Sequence, residues 1–312
     1  MRIFSRAGLA RALSPDAVIR AIEQGFIAYS RGEVVVPPVG HLQFTDPPGD
    51  CHIKYGYVRD DATFTVKIAT GFYRNPDIGL PSSNGMMLVF SARTGEPLAL
   101  LQDEGYLTDL RTAAAGAVAA KYLAPPRVER IGIVGAGTQA HLQLELLKEV
   151  TDCRRAVLWA RSPERAAAFR VEGFAIEIAA SVSELCARCQ LIVTATPARG
   201  ALISAADVQP GTHITAVGAD GGGKQEIDPR LFARARCFAD SRAQCSSFGD
   251  SFYAVKAGLI RAEDLVEIGE LLQNPGLGRR DPEEVTIADL TGVAVQDIQI
   301  ARLAIGSGLE DK

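Results

Sequence analysis

The sequence is poor in the residues that mark several large classes of protein. Its 312 residues include only four histidines and one tryptophan, and the formal net charge is −4. The histidines are scattered and form no H-x-x-x-H pair, so we expect no metal site. The chain has no global excess of basic residues, which argues against nucleic acid as its main partner.

Long apolar stretches and a secretory leader are also missing. The longest charge-poor stretch, residues 78–92, is broken by Pro81 and several glycines. It is shorter than the roughly 20 residues that cross a bilayer. The first residues contain no apolar segment followed by a small-residue cleavage site. These absences predict a cytoplasmic protein that has no membrane partner.

The six cysteines are expected to be free thiols in a cytoplasmic chain of this length. Cys186 and Cys189 form a C-x-x-C, but the surrounding SVSELCARC is typical of the end of an amphipathic helix. No second cysteine pair stands at zinc-ligand spacing. We therefore interpret the pair as structural.

The composition is that of a globular protein, with 47% hydrophobic and 22% charged residues, and the length favours two domains. Apolar residues at helical spacing after Ser14 predict a helix from Pro15 to Arg31. Residues 34–101 contain short β-like runs between Pro, Gly and Asp clusters, which indicates a mostly antiparallel sheet. The alanine-rich segment Asp109–Leu123 predicts a helix that ends before Pro125.

From Arg130 the pattern changes to strands that alternate with helices. The strands are RIGIVGAG, RAVLWAR, LIVTATP, THITAVGA and RCFAD. Their nearly continuous apolar character is typical of a parallel sheet covered by helices on both faces. After Leu265 the pattern is mainly helical. We predict an α/β protein with a Rossmann-type doubly wound parallel sheet at 123–287 and a mostly antiparallel α+β domain at 1–122, to which residues 288–312 return.

A glycine motif opens the predicted parallel sheet. The segment Ile131–Ala140 contains G-x-G-x-x-A after an apolar strand, at the start of a helix and before a second strand. This context predicts a dinucleotide site. Gly135 permits the tight turn, Gly137 lets the backbone approach a pyrophosphate, and Ala140 keeps the helix close to the sheet. The helix N-terminus presents free N–H groups to the anion.

The end of the second strand is expected to select the cofactor. Enzymes that use NAD usually have Asp or Glu there to hold the ribose hydroxyls. This chain has an arginine instead, in Trp159-Ala160-Arg161-Ser162. A guanidinium pairs well with a 2′-phosphate, so NADP(H) is favoured over NAD(H), with a solvated loop residue as the alternative for Arg161. The predicted cofactor-binding residues in this part of the chain are Gly135, Gly137, Thr138, Gln139, Ala140, Arg161, Ser162 and Thr196.

Several segments that run in order from about residue 64 to 300 resemble the ornithine cyclodeaminase/μ-crystallin family. They are Val66-Lys67 with the following GFYRNPDIGLPSSNG, then TGEPLAL, LTDLRTAAAGAVAAKYLA, IGIVGAGTQA, ITAVGADGGGKQEID and DLTGVAVQDIQIA. The resemblance implies an N-terminal substrate-binding and dimerisation domain that the C-terminal helix completes. It also implies a Rossmann domain and a homodimer.

The resemblance further implies roles for three residues. Lys67 and Arg111 hold the substrate carboxylate, Arg111 also reaches cofactor phosphate, and Asp220 is the acid/base at the amino or imino nitrogen. Lys67 and Asp220 are the predicted catalytic residues. This chemistry is sensible, because an α-imino acid needs cations at its carboxylate and an acid at its nitrogen. The alternatives are a solvated strand residue for Lys67, a surface ion pair for Arg111 and a helix cap for Asp220.

The chain departs from the family pattern upstream of Lys67. Lys54, which we also expect to bind substrate, stands where cyclodeaminases keep a glutamate for the substrate amine. An arginine expected further upstream is replaced within Gly40-His41-Leu42-Gln43. The pocket has therefore gained a cation and lost an anion. That change disfavours ornithine and favours a substrate with an additional acidic group, or with none.

Three functions follow from these observations. The favoured one is reduction of a cyclic ketimine or 2-imino acid, similar to pyrroline-2-carboxylate, with NADPH. The second is ornithine cyclodeamination, which converts L-ornithine to L-proline and ammonia with NAD⁺ as a catalytic cofactor. The least favoured is a crystallin-like protein that binds cofactor without turnover.

Overall fold

A computed structural model describes residues 1–72 and 74–307 of the chain. The chain divides into two compact units, of which the first comprises Met1–Arg111 and Ala294–Lys312 and the second Thr112–Val293. Residues 308–312, at the end of the predicted C-terminal return, lie outside the described residues.

The regular elements within the described ranges are strands and helices of ordinary length. The strands are β1 (Arg2–Ser5), β2 (Val34–Val35), β3 (Gly40–Phe44), β4 (Gly49–Val58), β5 (Thr63–Phe72), β6 (Ser83–Ser91), β7 (Pro97–Gln102), β8 (Ile131–Val134), β9 (Arg155–Trp159), β10 (Ala175–Ile178), β11 (Leu191–Thr194), β12 (Arg199–Ile203), β13 (His213–Ala216), β14 (Gln225–Ile227), β15 (Ala235–Ala239), β16 (Val266–Glu267) and β17 (Val285–Asp289). The α-helices are α1 (Arg6–Ala12), α2 (Pro15–Ser30), α3 (Tyr106–Leu123), α4 (Thr138–Leu146), α5 (Pro163–Ala168), α6 (Val182–Arg188), α7 (Pro229–Phe232), α8 (Arg242–Phe248), α9 (Asp250–Lys256), α10 (Ile268–Gln273) and α11 (Ala294–Gly306).

The first unit is built on a seven-stranded sheet. Its strand order is β1-β7-β6-β5-β4-β2, and β3 also pairs with β4. The pairing is antiparallel except between β1 and β7, which confirms the predicted mostly antiparallel sheet. Helices α2 and α11 pack on each other, and α11 packs on β4 and β5. Helix α11 is therefore the part of the C-terminal segment that joins this unit.

The two faces of this sheet differ in burial, because successive side chains of a strand point to opposite faces. On the inner face, Lys67, Met87 and Val89 are almost completely buried. The opposite face, which we call the apolar outer face, is formed by Tyr55, Tyr57, Val66, Ile68, Met86 and Leu88. Tyr55 is 40% exposed and Met86 is 41% exposed. Large apolar side chains thus remain accessible across the middle of the sheet.

The second unit contains an eight-stranded sheet in which every pairing is parallel. Its order is β10-β9-β8-β11-β13-β17-β15-β16. Apolar side chains cover both faces, since Leu191 and Val193 lie in one core cluster and Ile192 lies in another. This confirms the predicted Rossmann-type doubly wound sheet. The chain runs from β8 outward to β10 and then returns to the other side of β8, which creates a switch point between β8 and β11.

One strand of the second unit was not predicted. The regular structure after Leu265 is mainly helical, as expected, in α10 and α11, but Val285–Asp289 forms the fully buried strand β17 between β13 and β15. A short apolar run of this kind cannot be told from a buried helix by periodicity alone. The pairing partners, which are distant in sequence, decide the conformation.

The cysteines are free and buried, as the sequence predicts. Cys186 lies on α6 and Cys189 directly follows that helix. Burial raises the pKa of both thiols to about 12, so they stay protonated and pack as apolar side chains. Among the described helices, none combines the length and the apolar character needed to span a membrane.

Candidate functional site

Two buried cations of the first unit converge on one carboxylate. Lys67 on β5 donates from Nζ to Oδ1 of Asp297 on α11 at 2.9 Å. Arg111 on α3 donates from Nε to the same oxygen at 3.0 Å. The exposed fractions are 2% for Lys67, 5% for Arg111 and 2% for Asp297. Two positive charges therefore share one negative charge, and both cations keep further N–H groups with which to bind an anion.

Burial has a large effect on the protonation of this cluster. Desolvation is the main reason that the pKa of Lys67 falls to about 7; the charges of Arg111 and Lys54 also lower it, and Asp297 opposes the shift. Burial alone would raise the pKa of Asp297, but Lys67, Arg111 and Lys54 outweigh that effect and hold it below its usual value. Asp297 is therefore the permanent anion, and Lys67 loses its proton near neutral pH.

Lys54 lies beside this cluster on the neighbouring strand. The register of β4 and β5 places Lys54 directly opposite Lys67. Directly opposed residues have Cβ atoms about 5 Å apart on the same face of a sheet. The structure thus brings the three cations predicted to bind substrate, Lys54, Lys67 and Arg111, into one region of the first unit.

Two residues of α11 that were not predicted from the sequence fix these cations. Asp297 accepts from both of them, and Gln296 accepts from Nη1 of Arg111 at 2.8 Å. Both lie in DLTGVAVQDIQIA, where an ionisable residue interrupts an otherwise apolar stretch. That interruption was the available signal, because a buried charge is rare unless it is paired. Lys67 and Arg111 are buried, so Lys67 is not a solvated strand residue and the ion pair of Arg111 is not at the surface.

The glycine turn of the second unit has the geometry that a dinucleotide requires. Gly135 follows β8 with φ of +122°, and a Cβ atom there would lie 2.6 Å from the carbonyl oxygen of Ala195. Gly137 precedes the first residue of α4 and has open space where a Cβ atom would be. The N–H groups of Thr138, Gln139 and the following turn lie at the helix N-terminus beside that space. A pyrophosphate fits this arrangement.

The loop after β9 carries the residues predicted to select the cofactor. The strand ends at Trp159, and Ser162 caps α5 by accepting from the backbone N–H of Arg165 at 3.3 Å. Arg161 is exposed between them.

Ala140, on the helix of the glycine turn, is fully buried, as its predicted packing role requires.

A buried glutamate that the sequence analysis did not single out joins the ends of two central strands. Glu226 accepts from the hydroxyl and the backbone N–H of Thr196, both at 2.7 Å. It also accepts from the hydroxyl of Thr194 at 2.7 Å and from the N–H of Gly218 at 2.8 Å. Burial raises the pKa of Glu226, and these hydrogen bonds oppose the shift. Glu226 therefore fixes Thr196 after β11 and the loop after β13.

Asp220 lies in that loop, four residues beyond the end of β13. Its side chain is 57% exposed and pairs with Lys224 at 2.5 Å. Gly135, Thr196 and Asp220 each follow a strand of one parallel sheet, so all three lie at the same sheet edge. Open α/β sheets bind their ligands at this edge. Within the described residues, no group of three or more His, Cys, Asp or Glu side chains is arranged to hold a metal ion.

The parallel sheet, the switch point and the glycine turn define a dinucleotide-binding protein of the Rossmann class. The chain belongs to the ornithine cyclodeaminase/mu-crystallin family, whose sequence profile matches residues 3–310. The predicted resemblance is thereby confirmed.

Several similar proteins are dehydrogenases or reductases by name. A putative dehydrogenase of Rhizobium meliloti, RB0419, is 40% identical and covers 97% of this chain and 94% of its own length. The alanine dehydrogenase of Archaeoglobus fulgidus is 37% identical over 95% of this chain and 92% of its own. The iminosuccinate reductase of Paracoccus denitrificans is 33% identical over 98% and 96%.

Solved structures share the fold over almost the whole chain. The Δ1-pyrroline-2-carboxylate reductase of Thermococcus litoralis, in complex with NADH and L-proline, has a TM-score of 0.92 and 30% identity, covering 99% of this chain and 98% of its own. An archaeal alanine dehydrogenase dimer with bound NAD has a TM-score of 0.91 and 35% identity, covering 99% and 96%. A lysine cyclodeaminase has a TM-score of 0.87 and 28% identity, covering 98% and 92%.

Proposed function

We propose that this enzyme reduces a small 2-imino acid to the corresponding 2-amino acid with NADPH. The observation that carries the proposal is the buried Lys67–Arg111 pair, which shares the single carboxylate of Asp297. While Lys67 is protonated, Lys67 and Arg111 carry one positive charge more than Asp297 balances. An anion that enters the site then meets that charge in a poorly solvated environment, where charge-assisted hydrogen bonds are strong. The α-carboxylate of an imino acid has the required charge and size.

Each residue has a separate task in the proposed reaction. Lys67 and Arg111 bind and orient the α-carboxylate. Asp220, whose carboxylate Lys224 holds, keeps the imine nitrogen protonated so that the adjacent carbon is electrophilic. The bound nicotinamide supplies the hydride to that carbon. One 2-imino acid, one NADPH and one proton thus give one 2-amino acid and one NADP⁺.

The preference for the phosphorylated cofactor rests on the loop after β9. Arg161 is exposed there, and the four residues from Trp159 to Ser162 include no carboxylate to hold a ribose 2′-hydroxyl. Three similar structures with a bound cofactor contain NADH or NAD⁺. The proposed preference of this chain for NADPH therefore rests on Arg161 alone.

We further propose that the enzyme is a homodimer that assembles through the apolar outer face of the first unit. Apolar surface of this extent is typical of an interface between subunits. The similar alanine dehydrogenase is described as a dimer. The cytoplasmic location expected from the sequence stays a prediction.

Cyclodeamination is the second candidate, because a lysine cyclodeaminase shares the fold. That reaction oxidises and then reduces the same carbon, releases ammonia and leaves the cofactor unchanged. The position of Lys54 argues against cyclodeamination, because a lysine beside Lys67 repels the second ammonium group of ornithine.

The two candidates are separated by one pair of assays. Purified enzyme is mixed with pyrroline-2-carboxylate or with pyruvate and ammonia, each with NADPH, and loss of the reduced cofactor is followed by absorbance. In the second assay, L-ornithine and NAD⁺ are tested for formation of proline and ammonia. We expect turnover in the first assay. Proline formation from ornithine without net cofactor change would replace reduction by cyclodeamination.

The role of Asp220 is tested in the same assay. Asp220→Asn should lower kcat by about 10²- to 10⁴-fold, the usual contribution of a general acid, with little change in NADPH affinity. Asp264→Asn is the matched control, because Asp264 is also a partly exposed carboxylate in a local ion pair, with Arg261. An unchanged rate in Asp220→Asn would remove this residue from the mechanism.

A further inference from the structure

The position of Asp220 depends on a loop whose own backbone restricts it little. We call residues 217–224, between the end of β13 and the start of β14, the acid loop. It contains three consecutive glycines after Asp220. Gly221 and Gly222 have open space where a Cβ atom would be, and Gly223 has φ of +80°. Because glycine is the least restricted residue, contacts outside this glycine run must hold Asp220 in place.

Glu226, on β14, holds the first part of the acid loop. Its Oε2 accepts from the backbone N–H of Gly218 at 2.8 Å, and Gly218 lies two residues before Asp220. The approach is close, because a Cβ atom on Gly218 would collide with the Glu226 carboxylate and with the carbonyl oxygen of Thr196. The acid loop therefore begins in direct contact with this carboxylate.

The other carboxylate oxygen of Glu226 holds the turn after β11, which contains Thr196 and which we call the cofactor turn. Oε1 accepts from the backbone N–H and from the hydroxyl of Thr196, both at 2.7 Å. Thr196 is one of the residues predicted to bind the cofactor. The turn that we expect to contact the cofactor and the loop that carries Asp220 thus share one carboxylate.

Glu226 is also fixed through its backbone. Asp250, the first residue of α9, accepts through Oδ1 from the N–H groups of Glu226 and Ile227, at 2.8 and 2.9 Å. Glu226 and Asp250 are both completely buried. Buried polar side chains with their hydrogen bonds formed are rigid, so Glu226 gives both loops a fixed point of attachment.

The contacts of Glu226 require a carboxylate at this position. One oxygen faces the N–H of Thr196 and the other faces the N–H of Gly218, and an N–H group can only donate. Both oxygens must therefore be acceptors. A glutamine of the same shape has one acceptor oxygen, so its NH₂ group would face one of these N–H groups. Glu226→Gln thus breaks the shared contact without opening a cavity.

We propose that Glu226 is a positioning residue for the reaction, which sets both the acid Asp220 and the cofactor turn through one carboxylate. This inference rests on the proposed function, because it takes Asp220 as the acid and Thr196 as a cofactor contact. The carboxylate oxygens of Glu226 are occupied by the two loops. Glu226 therefore acts through them, without touching the substrate.

The first test measures cofactor binding and turnover separately in Glu226→Gln. The Kd for NADPH should rise by at least about 10-fold in a fluorescence titration, and kcat for imino acid reduction should fall by at least about 10-fold. Each loop loses a hydrogen bond to a charged group. Inhibition by propionate, a small carboxylate expected to bind at Lys67 and Arg111, should change by less than about 3-fold.

A double-mutant cycle distinguishes positioning from a purely structural role. If Glu226 acts through Asp220, Glu226→Gln should lower kcat much less in an Asp220→Asn background than in the wild type, because coupled residues are not additive. His213→Gln is the matched control, since it changes a buried polar side chain at the opposite end of β13. Under conditions where it is folded, it should leave the Kd for NADPH and kcat unchanged.

Glu226→Asp provides a second variant in case Glu226→Gln does not fold. It keeps the negative charge but is one methylene shorter, so it cannot reach both loops as the glutamate does. The Kd for NADPH and kcat should change in the same directions as in Glu226→Gln. The inference is overturned if a folded variant keeps either wild-type value, or if its loss of kcat is fully additive with that of Asp220→Asn.

Failure of this inference can be told from failure of the proposed function. If the wild type is active and the folded Glu226 variants behave like it, the positioning role fails and the proposed function stands. If the wild type turns over no imino acid, the proposed function fails and the positioning of Asp220 falls with it. A raised Kd for NADPH in Glu226→Gln would then still support the positioning of the cofactor turn.

Discussion

Lys67 and Asp297 form a buried ion pair, with Nζ 2.8 Å from Oδ2, although 230 residues separate them in the sequence. The pair attaches α11 to β5 and at the same time positions the cation that we propose to bind the substrate carboxylate. One contact therefore contributes both to the closure of the first unit and to its chemistry. We therefore expect substitutions of Asp297 to affect both the stability of this unit and substrate binding.

Removal of the shared carboxylate should destabilise the protein strongly. Asp297→Asn leaves Lys67 and Arg111 buried without a counter-ion, and loss of one partner of a buried pair costs about 3–5 kcal/mol of unfolding free energy. Urea denaturation measures the change. Asp16→Asn, in an exposed ion pair with Arg20, is the control and should cost below about 0.5 kcal/mol. Equal losses in the two variants would contradict a structural role for Asp297.

Substrate affinity should fall as the pH rises through neutrality. The pKa of Lys67 is about 7, because burial disfavours the charged form. An anionic substrate needs that charge, so kcat/KM should decrease above about pH 7. Lys67→Arg should extend the plateau to higher pH, since a guanidinium stays protonated. If the two pH profiles coincide, Lys67 is not the group that titrates.

Cofactor selectivity should depend on Arg161. Arg161→Ala should raise the Kd for NADPH by about 10-fold or more, since a charge-assisted hydrogen bond to the 2′-phosphate is lost, with little effect on NADH. Fluorescence titration of both reduced cofactors measures this. Arg165→Ala, an exposed arginine on the adjacent helix, is the control. Equal loss of affinity for both cofactors in Arg161→Ala would refute the phosphate role.

The second unit should lose stability in mild acid because of a buried histidine. His213 lies between the hydroxyls of Thr286 and Thr215, at 2.8 and 3.0 Å, and burial lowers its pKa from 6.5 to about 3. The unfolded chain binds a proton below pH 6.5 that the folded state cannot accept. This group therefore lowers stability as the pH falls from 6.5 to about 3, by up to about 1.4 kcal/mol per pH unit.

The variant His213→Gln tests this contribution through the slope of stability against pH. The slope below pH 6.5 should be shallower than in the wild type, whatever the absolute stability of the variant. His141→Gln changes an exposed histidine and should keep the wild-type slope. An unaltered slope in His213→Gln would exclude this residue as the source of acid sensitivity.

The proposed dimer depends on the apolar outer face. Met86→Glu places a charge on a side chain that is 41% exposed, so the unit itself should tolerate the change. Sedimentation should show weaker association by at least about 10-fold, because an unpaired charge is buried on assembly. Ile178→Glu, at a 53% exposed position of β10, is the control and should leave association unchanged. Sedimentation of the wild type as a monomer would contradict the proposed dimer.

Two helices and one turn of this protein were predictable, because the sequence patterns that specify them involve residues close together in the chain. A helix was expected for Pro15–Arg31 and is observed as Pro15–Ser30, and one expected for Asp109–Leu123 is observed as Tyr106–Leu123. The turn at Gly135 was predictable for the same reason, since a positive φ and a close backbone approach select glycine at that position.

Other features depend on residues that are far apart in the chain. Val285–Asp289 has no periodicity that distinguishes strand from helix, and it becomes β17 because β13 and β15 lie on either side of it. Glu226 has no special local signal, and its role follows from the strand ends that meet around its carboxylate.

The sequence by itself determined the cofactor turn, the alternation of strands and helices, and the cations available for a carboxylate. Only the tertiary structure decided that Lys67 and Arg111 would share Asp297, at separations of 230 and 186 residues. The physical reason is that a buried charge is tolerated only where an opposite charge reaches it. Packing of α11 on the sheet brings Asp297 into contact with Lys67 and Arg111. No local sequence pattern predicts this contact.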